Sequence, residues 1–386
     1  MTVQGMPICG IGVVSGYGWG REPLWNGLMS GKPAASIVSG LAEHPGDTVW
    51  AACVSDDGGD LQDGPSRFAQ AMRAAAREAI HDAADRGWRP GRRVGLLHAV
   101  VLGEVDLWRE FYTTRGGSLS VHDYLALMPS TPMSTFMQEY GFHGPAMNVS
   151  AMCASGNAGL ITAKSWLDAG IVDDVVFVAT DLSLTPENVS HFVRLGVAIA
   201  DAEPFDACRP FQQGSRGFIM GEASVSFVLS SRADRPYATT LGGAMSHDAY
   251  HVTSIDPNLS QITACFEDAL ENARVPASAV RYLNAHGPGT AQCDRAEAAV
   301  LDRLFPETEV YSVKPMTGHC QGAASAVEVA VAALGYDRGV LPAPPVVAPG
   351  HPRLLDGPSQ VADGITVKSS LGMGGHNSVI VLAPPA

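Results

Sequence analysis

Short apolar runs closed by glycine, proline or asparagine alternate along this chain with stretches whose apolar positions recur every three or four residues. That rhythm predicts strands buried on both faces and helices that cover them, an α/β fold. The runs place strands at residues 6–14, 93–101, 146–152, 174–179, 223–229, 279–284, 309–313 and 378–382. Helical periodicity is clearest at 67–86 (RFAQAMRAAAREAIHDAADR) and at 260–273. In both, charged residues sit opposite the apolar stripe, so each helix should lie against a sheet. A polar break at 231–235 (SRADR) separates a strand-rich first part from a second part that begins the pattern again. No repeat at the solenoid period of about 20–50 residues interrupts this.

Composition narrows the classes. Of 386 residues, 46% are hydrophobic and 17% charged, enough apolar material for a large core, which excludes a disordered or fibrous chain. The formal charge of −14 argues against a nucleic-acid or anionic-membrane binder, both of which need a basic footprint. No apolar window long enough to span a bilayer and no signal-peptide pattern is present, so neither export nor insertion is expected. Seven cysteines (9, 53, 153, 208, 265, 293, 320) form no C-x-x-C pair, which fits a reducing cytoplasm. Asn-x-Ser sequons at Asn148, Asn188 and Asn258 then read as chance matches. Gly10, Gly12 and Gly16 raise a dinucleotide fingerprint. Their G-x-G-x-x-x-G spacing, without an acidic residue ending a second strand, points instead to a structural tight turn.

Chemistry concentrates at residues 148–159, NVSAMCASGNAG. A β-type run ends at Met152, Cys153 follows among small residues, and a helical pattern continues to Leu167. This order sets the sulfur at a helix N-terminus, where unpaired N–H groups and the dipole favour a thiolate and small neighbours admit a substrate. The same segment also reads as a buried structural cysteine. Two histidine segments offer partners: Asn284-Ala-His286-Gly-Pro-Gly-Thr290, and residues 311–324 (YSVKPMTGHCQGAA), where His319 follows Lys314. Singly, each histidine reads as a turn or core residue; their shared setting, beside glycines at strand ends, makes them functional candidates. His376 in the glycine-rich terminal turn reads as solvated. His247 and His251 lack a helical context, no residue set has zinc spacing, and no metal is expected.

These segments resemble the β-ketoacyl synthases, the condensing enzymes of fatty-acid and polyketide assembly in the thiolase superfamily. The resemblance covers nearly the whole chain. Residues 8–32 (ICGIGVVSGYGWGREPLWNGLMSGK) are similar to the family's opening strand, glycine turn and tryptophan helix, and SAMCASG to its active-site cysteine signature. The R-P-F…G-F…G-E block matches Arg209 to Glu222, and SHDAYHVT has a family counterpart. AHGPGT followed by Asp294 and Glu297, SVKPMTGHCQGAA followed by Glu328, and the terminal GMGGHN are the most specific matches.

The resemblance implies a five-layered α-β-α-β-α fold of two similar halves, 1–232 carrying Cys153 and 233–386 carrying the two histidines. It implies that Cys153 takes an acyl group from the phosphopantetheine arm of an acyl carrier protein, the chain itself holding no cofactor. His286 and His319 would assist decarboxylation of a malonyl extender, and the resulting carbanion would attack the Cys153 thioester. Lys314, held by Glu328, would order the histidine; the backbone N–H groups of Cys153 and Met373 would form an oxyanion hole; and Thr290 would bind the pantetheine. Relatives are homodimers or heterodimers, with residues 129–138 near the interface. Departures from the family pattern are Pro288, Met373, Cys293, Gln212, Ser369, Ser325 and Asn284. They favour a specialised pathway over ordinary fatty-acid elongation. Pro288 and Met373 also leave open an acyltransferase or cyclase that uses the Cys153 thioester without elongation; a tunnel-shaping partner chain is a third reading, against which Cys153 itself argues. The Arg67, Arg73 and Arg77 face reads as a solvated helix side that could also dock an acidic carrier.

Overall fold

The computed structural model describes residues 5–44, 46–113, 120–232, 234–361 and 364–385. Ten strands make the framework: β1 (Met6–Ser15), β2 (Val94–Ala99), β3 (Ala146–Val149), β4 (Asp174–Asp181), β5 (Ala223–Ser230), β6 (Ala238–His247), β7 (Val280–Asn284), β8 (Glu309–Tyr311), β9 (Ile365–Gly372) and β10 (His376–Ala383). With the two-residue strand Gly18–Trp19 on β1, they form one eleven-stranded sheet in the order β8-β7-β9-β10-β6-β1-β5-β4-β2-β3.

Read outward from its middle, one side runs β1, β5, β4, β2, β3 and the other β6, β10, β9, β7, β8. In both runs the first two pairings are antiparallel and the last two parallel. The second run therefore repeats the first strand for strand. Among the described residues the two meet in the sheet where residues 6–8 of β1 pair with residues 238–240 of β6.

Helices complete a five-layered thiolase-like arrangement. Helix α1 (Arg67–Asp85) packs on β1, β5 and β4, and α3 (Ser260–Ala273) on β6 and β10. Helices α2 (Ser155–Asp168) and α5 (Ala324–Arg338) touch each other and strands of both runs, so they form the middle layer. Helix α4 (Ala291–Leu304) shares the apolar cluster of α3. Every residue of α5 from Ala324 to Gly335 is buried. A helix apolar all round has no stripe, which is why periodicity passed over it.

Several expectations change. Gly10 and Gly12 do not make a tight turn, because β1 runs through both. A Cβ at Gly12 would stand 1.9 Å from the Ala75 carbonyl and one at Gly10 2.2 Å from that of Ala79, so these glycines let α1 lie directly on the strand. Gly242 does the same for α3 on β6, where a Cβ would come within 2.6 Å of the Ala273 nitrogen. Strands β6 and β9 lacked an apolar run because of Gly242-Gly243 and of Lys368-Ser369-Ser370. The strand expected over 146–152 stops at Val149. Residues 1–4 and Ala233, within the polar break at 231–235, lie outside the described residues. Among the described residues no helix is long and apolar enough to cross a membrane.

Candidate active site

Between β3 and α2 the chain turns sharply. Met152 sits at φ 51°, left-handed backbone that a non-glycine residue avoids unless its surroundings hold it there. Ser155 does the holding: its Oγ donates to the Met152 carbonyl (2.6 Å) and accepts from the Ala151 N–H (2.8 Å). Cys153 follows this bend just ahead of α2 and is only 9% exposed. Its carbonyl accepts a hydrogen bond from Ser370 Oγ of β9 (2.9 Å), which ties the cysteine turn to the second strand run. A strained turn that presents a nucleophile between strand and helix is the geometry of a nucleophile elbow.

Burial pushes the Cys153 thiol up to about 11, although Lys314 and the N–H groups of Met373 and of Cys153 itself pull it down. Burial thus works against the thiolate that a helix terminus favours, and a thiol raised that far is protonated near pH 7. Deprotonation must accompany attack. The two amides that lower the thiol are also the donors expected to hold an oxyanion, because they face the sulfur.

Strand β7 ends in the loop carrying His286, and a short helix, Lys314–Thr317, leads to His319. The two rings lie 5.4 Å apart, edge to face, and Phe218 packs edge-on against His319 at 4.6 Å. Burial, with Lys314 and Lys368 adding repulsion, holds both imidazoles well below the usual histidine range, so both are neutral. Nδ1 of His319 accepts the Gln321 N–H (3.2 Å), which places the ring proton on Nε2. Nδ1 of His286 has no hydrogen-bond partner among the described residues.

Three acidic residues shape this corner. Glu297 accepts the N–H groups of His286 and Gly287, each at 2.8 Å, and Asp294 accepts that of Gly289 at 3.2 Å. Gly289 is required there: its φ is +81°, and a Cβ would meet the Gly217 carbonyl at 2.6 Å. Burial raises Asp294 to about 7. Glu328 on α5 pairs with Lys314, whose Nζ also donates to the His286 carbonyl. Lys368 of β9 takes the other Glu328 oxygen at 2.7 Å. Residue typing alone missed Lys368; the signal was a lone cation inside the strand-like segment ITVKSSLG.

Cys153, His286 and His319 line one cavity of about 310 Å³, together with Thr290, Pro288, Met373, Cys293, Phe192 and Phe218. Lys314 and Glu328 stand behind the histidines rather than in the cavity wall. The unusual residues have local partners. Asn284 donates to the Glu328 carbonyl (2.8 Å), Ser325 Oγ accepts the Asn157 N–H (3.0 Å), Ser369 Oγ donates to Glu297 (2.5 Å), and Gln212 accepts the N–H of Val347 (2.8 Å).

Other sequence candidates change character. Arg67 pairs with Glu222, Asp56 and Asp106, Arg73 with Asp63 and Glu139, and Arg77 with Asp63. This is an internally neutralised surface, neither a solvated helix side nor a free basic dock. His376 is half-buried edge-on against His247 at 4.9 Å rather than solvated.

A layered α/β fold with a strained cysteine turn and two buried imidazoles in one cavity defines the class: thiolase-like enzymes. Within that class the patterns for "Beta-ketoacyl synthase, N-terminal domain" and "Beta-ketoacyl synthase, C-terminal domain" match residues 6–235 and 237–346. The chain belongs to the β-ketoacyl synthase family and is an acyltransferase-type enzyme. It is 31% identical to the oxytetracycline polyketide putative β-ketoacyl synthase 1 of Streptomyces rimosus, over 98% of this chain and 96% of that one. The tetracenomycin polyketide synthase ketoacyl synthase alpha subunit of Streptomyces glaucescens gives the same identity and coverage. Among solved structures, a chain of the Xenorhabdus doucetiae ketosynthase in complex with its chain length factor superposes with a TM-score of 0.86 at 25% identity, over 99% of this chain and 98% of that one. A chain from a type II polyketide synthase acyl-carrier protein in complex with its ketosynthase superposes equally well, at 0.86 and 24% identity over the whole of both chains.

Proposed function

We propose that this enzyme forms a carbon–carbon bond by decarboxylative Claisen condensation, joining an acyl group on Cys153 to a malonyl-type extender on an acyl carrier protein, in cytoplasmic polyketide or related specialised biosynthesis. The observation that carries this reading is the pair of neutral imidazoles sharing one cavity with Cys153, one of them fixed as the Nε2–H tautomer.

In the first half-reaction Cys153 sulfur attacks the carrier thioester. The Cys153 proton passes to the departing pantetheine sulfur, and the N–H groups of Cys153 and Met373 steady the oxyanion. In the second, the extender carboxylate leaves as carbon dioxide, and its bond pair becomes an enolate whose oxygen receives hydrogen bonds from His286 and His319. The enolate carbon attacks the Cys153 thioester, the carbon–sulfur bond breaks, and the Cys153 sulfur leaves as a thiolate that takes a proton from water. Thr290 and Pro288 would border the pantetheine arm, which arrives with the carrier.

The equal strand order of the two sheet runs supports reading the chain as halves 1–232 and 233–386, with the site between them. Relatives named as complexes with a carrier protein and with a chain length factor support a carrier partner and a second ketosynthase-like chain, identical or different, in the working assembly.

The test measures carbon dioxide release and chain extension from malonyl carrier protein, with mass detection of the acyl group on Cys153. Wild type should release carbon dioxide and extend the chain, and Cys153→Ala should not extend it. Acylation of Cys153 with neither decarboxylation nor a new carbon–carbon bond would replace this reading with acyl transfer on the same fold.

A further inference from the structure

Lys368 is one of the most deeply enclosed charges in the protein and is used by none of the steps above. Its side chain is fully buried on β9, one residue before Ser369 and two before Ser370. These three neighbours all serve the site: Ser370 holds the Cys153 carbonyl, Ser369 bridges Glu297 and the His286 N–H, and Lys368 reaches beneath the histidine loop. The Lys368 ammonium lies 2.7 Å from Glu328 and 3.3 Å from the carbonyl of Ala285, the residue before His286, and donates to the Ser369 carbonyl.

A buried ammonium normally needs a carboxylate of its own, because uncompensated charge in a low-dielectric interior is costly. Here Glu328 is divided between Lys368 and Lys314. Glu297 is a second carboxylate that acts on Lys368, and burial still lowers the Lys368 ammonium to about 8. The charged and titratable groups facing it are Glu328 on α5, Glu297 on α4, Lys314 at the strand-to-helix junction, and the imidazoles of His286 and His319. The cluster thus places two cations on one carboxylate directly behind two histidines, where an enolate must gather negative charge. The contacts of Lys368 lie on the histidine side of the site: Glu328, the Ala285 carbonyl and the Ser369 carbonyl.

We infer that Lys368 is a positioning residue for the condensation half-reaction: through Glu328 and the Ala285 carbonyl it fixes the loop that aims His286 at the enolate oxygen. It touches no substrate. The inference rests on the proposed condensation and assigns Lys368 to its second half-reaction.

The experiment compares Lys368→Met, Lys368→Gln and Lys368→Leu, which remove the charge with different shape and polarity. Cys153 acylation is followed by mass, and condensation of the preacylated enzyme with malonyl carrier protein by single turnover across pH 5–9. At least one variant should acylate Cys153 within about twofold of wild type and condense about tenfold or more slowly, with the acid limb of condensation moved to higher pH as the histidines regain basicity. Condensation at the wild-type rate with the acid limb in place would overturn the inference. So would equal loss of both half-reactions with the limb unmoved, or loss of acylation in all three variants, since either assigns Lys368 to folding alone. A wild-type enzyme that acylates but never releases carbon dioxide would remove the proposed function instead, before any variant is measured.

Discussion

At the scale of single residues, environment rather than residue type sets the protonation states. Cys153 near 11 and the two depressed histidines share one cause, loss of water. Alkylation of Cys153 by iodoacetamide should therefore rise about tenfold per pH unit from pH 7 to 10 without a plateau; a plateau near pH 8 would mean a far more acidic thiol. Because His286 and His319 are depressed, each favours folding above about pH 6.5 and withdraws that support as pH falls, by up to about 1.4 kcal/mol per pH unit. Asp294, raised to about 7, has the opposite sign: its contribution is complete below its unfolded value of 3.8 and is lost as pH climbs toward 7. Replacing one histidine isolates its share, so His319→Asn should flatten the stability slope between pH 6.5 and 5, as read from urea midpoints. His286→Ala and His319→Ala should each lower condensation by a factor on the order of 10² or more while Cys153 still acylates. The cysteine and both histidines were legible in the sequence because glycine and small residues frame them. Lys368 was not, since its partners Glu328 and Glu297 stand 40 and 71 positions away and only folding brings the three together.

At the scale of elements, close approach of helix to strand is written in glycine. Gly12→Ala would drive a methyl group into the Ala75 carbonyl of α1 and should destabilise the protein by at least ~2 kcal/mol, measured by denaturant unfolding. The same substitution would be nearly harmless in a tolerant surface turn, which makes it a direct test of the strand assignment. Helices α1 and α3 could be read from their amphipathic stripes because each covers one outer face. Helix α5 could not, because a segment surrounded by protein carries no polar face to set the period. Strand β9 was hidden for a related reason: its polar residues point to buried partners, so they looked like loop residues until Glu328, Glu297 and the Cys153 carbonyl were in place.

At the scale of the whole molecule, β3 ends the sheet with Met147 40% exposed on that edge. An open edge strand bearing apolar side chains invites pairing with another chain. We expect a two-chain assembly by light scattering, and Met147→Lys should shift it toward monomer; an unchanged mass would place the partner elsewhere. By itself the sequence determined the alternation of strands and helices, the family, and the cysteine and two histidines proposed as the site, because those depend on local periodicity and on short motifs whose residues are neighbours in the chain. Only the tertiary structure decided that the basic face of α1 is neutralised, that burial raises the Cys153 thiol, and that a second lysine shares the glutamate behind the histidines. Each of these depends on the distance between residues remote in sequence and on the exclusion of water, and neither exists until the two strand runs close around the middle helices.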